Sequence, residues 1–250
     1  MSDNEELIYG LHAVLAALQQ HPEAVAEVWI DRARRDPRAQ KIRQAAAAAG
    51  VALHEVSARV LAERAGDVRH QGVAARGRAP RVRDEADLEA LLGAVEGPPL
   101  LLVLDGVTDP HNLGACLRSA DGAGTHAVIA PRDRACGLTP VARKVASGAA
   151  ESVPFIQVTN LARTLRWLKE QGIWLIGADG TAEGELFDVD LSGPIALVLG
   201  AEGAGLRRLT REHCDILARL PMRGRVDSLN VSVSAGIFLY EALRQRRHRP

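Results

Sequence analysis

The sequence predicts an α/β protein in two parts, a small amino-terminal α/β unit and a larger carboxy-terminal unit built on a mostly parallel sheet. Six short apolar runs recur after Pro98: LLLVLD (Leu100–Asp105), HAVIA (His126–Ala130), PFIQV (Pro154–Val158), WLIGAD (Trp174–Asp179), IALVLG (Ile195–Gly200) and ILARL (Ile216–Leu220). Helical segments separate most of them. Continuous apolar strands alternating with helices mark a parallel sheet covered on both faces. Upstream, GRAPRV (Gly77–Val82), polar and proline-containing, breaks the pattern before a charged stretch from Asp84 to Leu92 that reads as a linker helix. These shifts place an amino-terminal domain at 1–75, a linker at 76–97 and the larger domain at 98–250.

In the first part, helical periodicity runs from Leu11 to Gln19 and is followed by a strand from Val25 to Ile30. A second helix spans Arg38 to Ala49 and is halted by Gly50, and Val51 to Val56 forms the next strand. Ser57 opens a further short helix, and Gln71 to Ala75 is the final strand of this unit.

At 250 residues and 47% hydrophobic, the chain can bury a sizeable core. Charge is balanced at 31 basic and 31 acidic residues, so the whole-chain balance does not point to a polyanion partner. The distribution is less even. Arg32 to Arg43 holds six basic residues and one acid, and Arg244 to Arg249 carries four arginines and a histidine. Either segment suits phosphate, for which arginine supplies forked donors, and either also suits a solvated face. Lysine is confined to Lys41, Lys144 and Lys169, a bias that reads as genomic base composition. Cys116, Cys136 and Cys214 lack C-x-x-C spacing, against both a disulfide framework and a zinc site, and no metal is expected. The amino terminus MSDNEELIYG lacks a signal-peptide pattern, and no apolar run approaches the roughly 18 residues of a membrane span. A cytoplasmic location without membrane contact is expected.

Three segments carry the chemistry. In LDGVTDPHNLGACLRSADGAG (Leu104–Gly124) a strand ends and a helix begins, with Asp109 placed to cap it and Pro110 in its first turn. Asn112 sits in that first turn. Arg118 stands among small and apolar residues, where a half-buried guanidinium needs a carboxylate or phosphate, so a salt bridge and a catalytic role both remain open. In LVLGAEGAGL (Leu197–Leu206) an apolar strand ends in Gly200, Gly203 and Gly205 around Glu202. Such glycines permit positive φ and close approach of a ligand, and a helix beginning near Leu206 would aim free N–H groups at the loop. Glu202 either favours that helix start or holds an arginine or a substrate hydroxyl. In LPMRGRVDSLNVSVSAGIFLYEAL (Leu220–Leu243), Asp227, Ser228, Asn230 and Ser232 gather at a helix entry. Ser228 suits an N-cap, Asn230 and Ser232 suit it less well, and Ser232 with Gly236 could allow close contact across a subunit interface. The glycines spell G-x-x-G-x-G rather than G-x-G-x-x-G, and neither a P-loop nor a G-x-S-x-G elbow is present, which disfavours a standard nucleotide-binding Rossmann enzyme.

Together these segments resemble the three signature motifs of the SpoU/TrmH family, S-adenosylmethionine-dependent RNA ribose 2′-O-methyltransferases of the knotted SPOUT class. The resemblance implies a cofactor pocket in the last two loops, tied into a trefoil knot that periodicity does not reveal. By resemblance Leu199, Gly200, Ala201, Gly205, Leu220, Met222, Ser228 and Leu229 hold S-adenosylmethionine, and Asn112, Arg118, Glu202, Ser228 and Asn230 serve catalysis and RNA positioning. A homodimer formed through the knotted domain would complete the active site. YGLHAVLAAL and HQGVAA (His70–Ala75) are similar, more loosely, to the ribosomal-protein-like RNA-binding domain of the branch that methylates a guanosine in the peptidyl-transferase region of 23S ribosomal RNA. The implied partner is 23S ribosomal RNA or the assembling large ribosomal subunit. A tRNA ribose methyltransferase, a non-catalytic RNA-binding assembly factor and, third, a Rossmann oxidoreductase are the alternatives.

Overall fold

The structure, a computed structural model, describes residues 5–66, 70–78 and 82–247. Part of the expected break (79–81), the first four residues, and His248 and Arg249 of the basic tail lie outside the described residues. Two compact units emerge: one combines the chain up to residue 81 with Arg143–Ser152, the other holds Val82–Ala142 and the chain from Val153 onward.

The smaller unit carries β1 (Glu5–Tyr9), α1 (Leu11–Gln20), β2 (Val25–Asp31), α2 (Pro37–Ala49), β3 (Ala52–Val56), α3 (Ala58–Ala65) and β4 (Val73–Arg78). Its strands lie in the order β1-β4-β2-β3. β4 runs antiparallel to both β1 and β2, while β2 and β3 are parallel. Val14, Leu18, Val28, Ile30, Ile42 and Val73 close one core, and Trp29, Leu61 and Ala74 close another. The Arg64 guanidinium stacks over the Trp29 ring 4.9 Å from its centroid. α2 begins where Asp36 accepts the N–H groups of Arg38 and Ala39 and Pro37 fixes the first turn, and it stops at Gly50 in the left-handed conformation. β1 was not expected, and β4 starts two residues later and ends three residues later than the strand expected at 71–75. The edge strand's charged start gives no apolar run to read, and the pairing partner supplies what the pattern lacks.

The chain from Val82 onward carries α4 (Glu85–Ala94), β5 (Leu100–Asp105), α5 (Pro110–Gly122), β6 (Ala127–Pro131), α6 (Pro140–Ala146), α7 (Ala149–Ser152), β7 (Phe155–Val158), α8 (Leu161–Glu170), β8 (Trp174–Ala178), β9 (Ile195–Gly200), α9 (Arg208–His213), β10 (Ile216–Ala218) and α10 (Val231–Arg247). The end of α6 and all of α7 group with the smaller unit. Six strands form one parallel sheet in the order β10-β8-β9-β5-β6-β7. Leu100 to Leu104 are at most 1% exposed, as expected for a central strand covered on both faces. The expected linker helix is α4, capped reciprocally by Asp84 and Asp87. It is no tether. Leu88 is fully buried in the larger unit's core, and the Thr159 backbone N–H donates to Glu85 Oε1 at 2.8 Å. The apolar i, i+3, i+4 spacing of Leu88, Leu91 and Leu92 carried that signal beneath the surrounding charge.

Candidate active site

β5 and β9 run in register with Asp105 opposite Gly200, and Ala178 of β8 lies opposite Ala218 of β10. The loops after these strands therefore leave one edge of the sheet, at the strands' carboxyl ends, where open α/β sheets bind ligands. They line one open cleft. Leu199, Gly200, Ala201, Gly205, Leu220, Met222, Ser228 and Leu229 all line it, together with Glu202. Asp179, Ser234 and Phe238 line it too and were not singled out by the sequence.

The glycine loop folds back on itself through a bridge between Ala201 and Gly205. A Cβ on Gly200 would lie 2.0 to 2.4 Å from backbone atoms of Gly205 and Leu206, so its missing side chain makes room for the loop's own return rather than for a ligand. Gly203 and Gly205 supply the positive φ that the turn requires. The expected helix near Leu206 begins two residues later, at Arg208. The Arg207 N–H is not free: it donates to Asp105 Oδ2 at 2.9 Å, and the Arg207 Nε lies 3.4 Å from Asp105 Oδ1. Asp105 is 1% exposed, so this buried carboxylate ties the glycine loop to the end of β5. Sequence reading missed the pair, although a carboxylate closing the apolar run LLLVLD was its visible signal.

Asn112, Glu202 and Asn230, which are 90 and 118 residues apart counted from Asn112, meet at the rim. The Asn112 Nδ2 donates to Glu202 Oε1 at 3.1 Å, the Asn230 Nδ2 donates to the same oxygen, and it also donates to Asn112 Oδ1 at 2.9 Å. An ionised carboxylate only accepts, so both amides must turn their NH₂ groups toward it. Asn112 is placed by α5, where Asp109 accepts the His111 N–H and Pro110 occupies the first turn. Asn230 is placed by α10. Its Oδ1 accepts from the Ser232 N–H at 2.8 Å and the Ser232 hydroxyl at 2.6 Å. Asn230, not Ser228, is thus the helix cap, and Ser232 is the second helical residue. The apolar run from Val231 hid a start two residues later than expected. Ser228 is exposed on the cleft and makes no hydrogen bond among the described residues. Gly236 faces the Ser119 hydroxyl of α5 in the same chain, so its close packing serves a contact within the chain.

Arg118 departs from its expectation. It is exposed, and no carboxylate pairs with it among the described residues. Six residues beyond Asn112 on one helix, it points about 120° away and stays outside the Asn112–Glu202–Asn230 cluster. The sequence context suggested burial because its neighbours Cys116, Leu117 and Ala120 are buried, but they face inward from the other side of α5.

Burial, aided by the charge of Glu202, pushes the Cys116 thiol up to about 12, and burial likewise raises Cys214 to about 12. Neither can act as a thiolate nucleophile near neutral pH. Burial raises Asp179, but hydrogen bonds from Arg211 and Thr181 outweigh it and hold the carboxyl below its ordinary value. Among the described residues no group of three or more His, Cys, Asp or Glu side chains could hold a metal ion. Among the described residues no helix is long and apolar enough to cross a membrane.

Comparison with known proteins adds the family. The profile of the SpoU rRNA Methylase family matches residues 99–240. The chain belongs to that family. A second profile, RNA 2′-O ribose methyltransferase substrate binding, matches residues 7–82. Among relatives, the 23S rRNA (guanosine-2′-O-)-methyltransferase RlmB of Ralstonia nicotianae is 56% identical over 241 residues, 96% of each chain. The RlmB of Shewanella oneidensis is 52% identical over 243 residues, 97% of this chain and 98% of its own. The SpoU methyltransferase AviRb of Streptomyces viridochromogenes, solved in complex with the cofactor AdoMet (S-adenosylmethionine), superposes with a TM-score of 0.81 at 26% identity. That match covers 98% of this chain and 92% of AviRb.

The SpoU-type cleft of this chain fits such a cofactor. Leu220, Met222 and Leu229 offer apolar walls for an adenine ring. Between Leu220 and Leu229 no backbone N–H donates a hydrogen bond among the described residues, which leaves main-chain donors for a ligand. Apolar walls with a few main-chain polar groups are how small-molecule sites orient their ligands.

Proposed function

We propose that this chain transfers a methyl group from S-adenosylmethionine to the ribose 2′-hydroxyl of a guanosine in the peptidyl-transferase region of 23S ribosomal RNA. The observation that carries the reading is the Asn112–Glu202–Asn230 cluster at the rim of the glycine-loop cleft. The kinship with 23S guanosine methyltransferases over nearly the whole chain supports the substrate, and the match to a substrate-binding profile supports an RNA-gripping amino-terminal domain.

When bound, S-adenosylmethionine supplies an electrophilic methyl group on a sulfonium, already activated for in-line transfer. Leu199, Gly200, Ala201, Gly205, Leu220, Met222, Ser228 and Leu229 hold it with apolar surface and main-chain groups. The free oxygen of Glu202, fixed by the two amides, accepts the hydrogen bond of a ribose hydroxyl, sets its approach and takes its proton as the 2′-oxygen receives the methyl group. Ser228 stands on the same wall to position the nucleotide. Arg118 acts on the reacting oxygen. A guanidinium stays protonated in proteins, so it stabilises the developing alkoxide and orients the neighbouring phosphate rather than taking the proton. Because Arg118 points away from its own chain's cluster, a second copy supplies it, and the active enzyme is a homodimer.

The test is methyl transfer from labelled S-adenosylmethionine to 23S ribosomal RNA and, separately, to bulk tRNA, with the modified nucleoside identified. The expected product is 2′-O-methylguanosine in 23S RNA alone. Labelling of tRNA alone would overturn the substrate. Cofactor binding without transfer to either RNA or to large-subunit particles would overturn the enzyme.

A further inference from the structure

The smaller unit's role in substrate docking can be carried to particular residues, resting on the RNA-methyltransferase reading above. Four segments far apart in sequence meet at one end of its sheet. The Gly10 N–H donates to the Val73 carbonyl, the Asp31 N–H to the Gly72 carbonyl, and the Arg32 N–H to the Val56 carbonyl, at 3.2, 2.9 and 2.9 Å. The turn before β4 is tight: Gln71 and Gly72 both take positive φ, and a Cβ on Gly72 would strike the Arg34 side chain at 2.5 Å. A fifth segment arrives from later in the chain. Lys144 sits 5.7 Å from the centroid of the Tyr9 ring, at the end of β1.

The basic segment divides sharply in its use of charge. Arg34 pairs with Asp36 at 2.8 Å and donates to the Gln71 carbonyl, and Arg43 pairs with Glu55 at 2.8 Å. These two arginines, with the Ala33 N–H on Asp31 Oδ1 at 3.0 Å, fix the loop's shape. Both carboxylates of the loop are thereby occupied. Arg32, Arg35 and Arg38 are exposed and make no ion pair among the described residues. His70 adds a donor: its Nδ1 accepts the Gly72 N–H at 3.1 Å, so the neutral ring carries its proton on Nε2.

A loop held by internal ion pairs that leaves arginines unpaired does not gain its own stability from them. Like charges kept close together cost free energy unless an anion neutralises them. We propose that this end of the smaller sheet, presenting Arg32, Arg35, Arg38, Lys144 and His70, is the phosphate-binding face by which the enzyme grips a structured RNA backbone. The forked guanidinium groups engage phosphate oxygens and fix register, while base identity is left to other contacts. The rigid loop means that little order must be gained on binding.

The test uses the full-length enzyme, a transcript of the peptidyl-transferase region of 23S RNA, and the triple variant Arg32→Gln/Arg35→Gln/Arg38→Gln. The control removes equal charge from exposed ion pairs elsewhere, Arg59→Gln/Arg163→Gln/Arg208→Gln. Dissociation constants are measured across a salt series, with S-adenosylmethionine affinity and the RNA KM alongside. Each lost phosphate contact lowers the slope of log K against log salt by about 0.7 to 0.9. The triple variant is expected to lose about two units of slope and at least about tenfold in RNA affinity, the loss appearing in KM, with cofactor affinity unchanged and the control near wild type. Wild-type slope and KM in the triple variant, or an equal loss in the control, overturn the face while leaving the methyltransferase reading intact. A wild-type enzyme that binds the transcript through this face but methylates no RNA overturns the functional reading instead.

Discussion

The carboxyl edge of the larger sheet and the basic end of the smaller one treat polar groups in opposite ways. At the first, side chains from distant segments pair with one another by hydrogen bonds or ion pairs: Asn112 and Asn230 on Glu202, Arg207 on Asp105, Arg211 on Asp179. At the second, carboxylates shape the loop and three arginines are left facing solvent. The contrast matches the two tasks proposed for these edges. In-line transfer tolerates little misplacement, so its groups are fixed before the substrate arrives. Backbone docking depends on how many charges meet phosphates, so its groups must stay unpaired. The first edge should respond to single atoms and the second to charge number.

Arg118→Ala offers the sharpest break of this contrast, because Arg118 is an exposed, unpaired arginine that the proposed mechanism nonetheless places in the chemistry. Methyl transfer should fall by a factor of about 10² to 10³ or more, with the melting temperature and S-adenosylmethionine affinity near wild type. Loss of the fold in that variant would assign it to structure instead. Gly200→Ala should come next. Its methyl group would overlap the backbone of Gly205, costing about 1 to 3 kcal/mol of stability and abolishing cofactor binding by calorimetry.

Asn230 separates positioning from capping. Asn230→Ala removes the α10 cap, worth about 1 kcal/mol, and should lower transfer at least about tenfold. Asn230→Asp keeps a capping oxygen but sets a carboxylate against Glu202, so it should recover much of the stability and little of the activity. Recovery of both would mean that the amide's donation to Glu202 is dispensable.

The smallest effect concerns acid. Asp179 titrates below its ordinary value of 3.8, because hydrogen bonds from Arg211 and Thr181 outweigh burial. A depressed folded-state value stabilises the protein above pH 3.8 and loses that contribution as pH falls through it. The stability difference between wild type and Asp179→Asn, read from urea midpoints, should be flat near neutrality and shrink below about pH 4. A difference that grows with acid would contradict the assignment.

Much of the candidate site was legible because local patterns encode it. Apolar runs ending in glycine announced strand ends, and the eight residues that the family resemblance assigns to the cofactor line one cleft. The errors share a cause. In sequence Ser228 suits a cap and Leu206 a helix start, but a helix boundary depends on which polar atom completes the first turn, and that atom is chosen by three-dimensional neighbours. Arg118 was read as half-buried because sequence neighbours alternate around a helix, so buried flanks do not bury the residue between them.

By itself the sequence determined the fold class, the alternation that builds a parallel sheet, and the inventory of side chains delivered to its loop edge. These follow from periodicity and turn chemistry, which are local. Only the tertiary structure decided the pairings: that Asp105 closes the glycine loop through Arg207, that two asparagines converge on one oxygen of Glu202, and that Arg34 and Arg43 are held while Arg32, Arg35 and Arg38 stay exposed. Each joins residues through strand order and register, and no short-range pattern records which strands become neighbours.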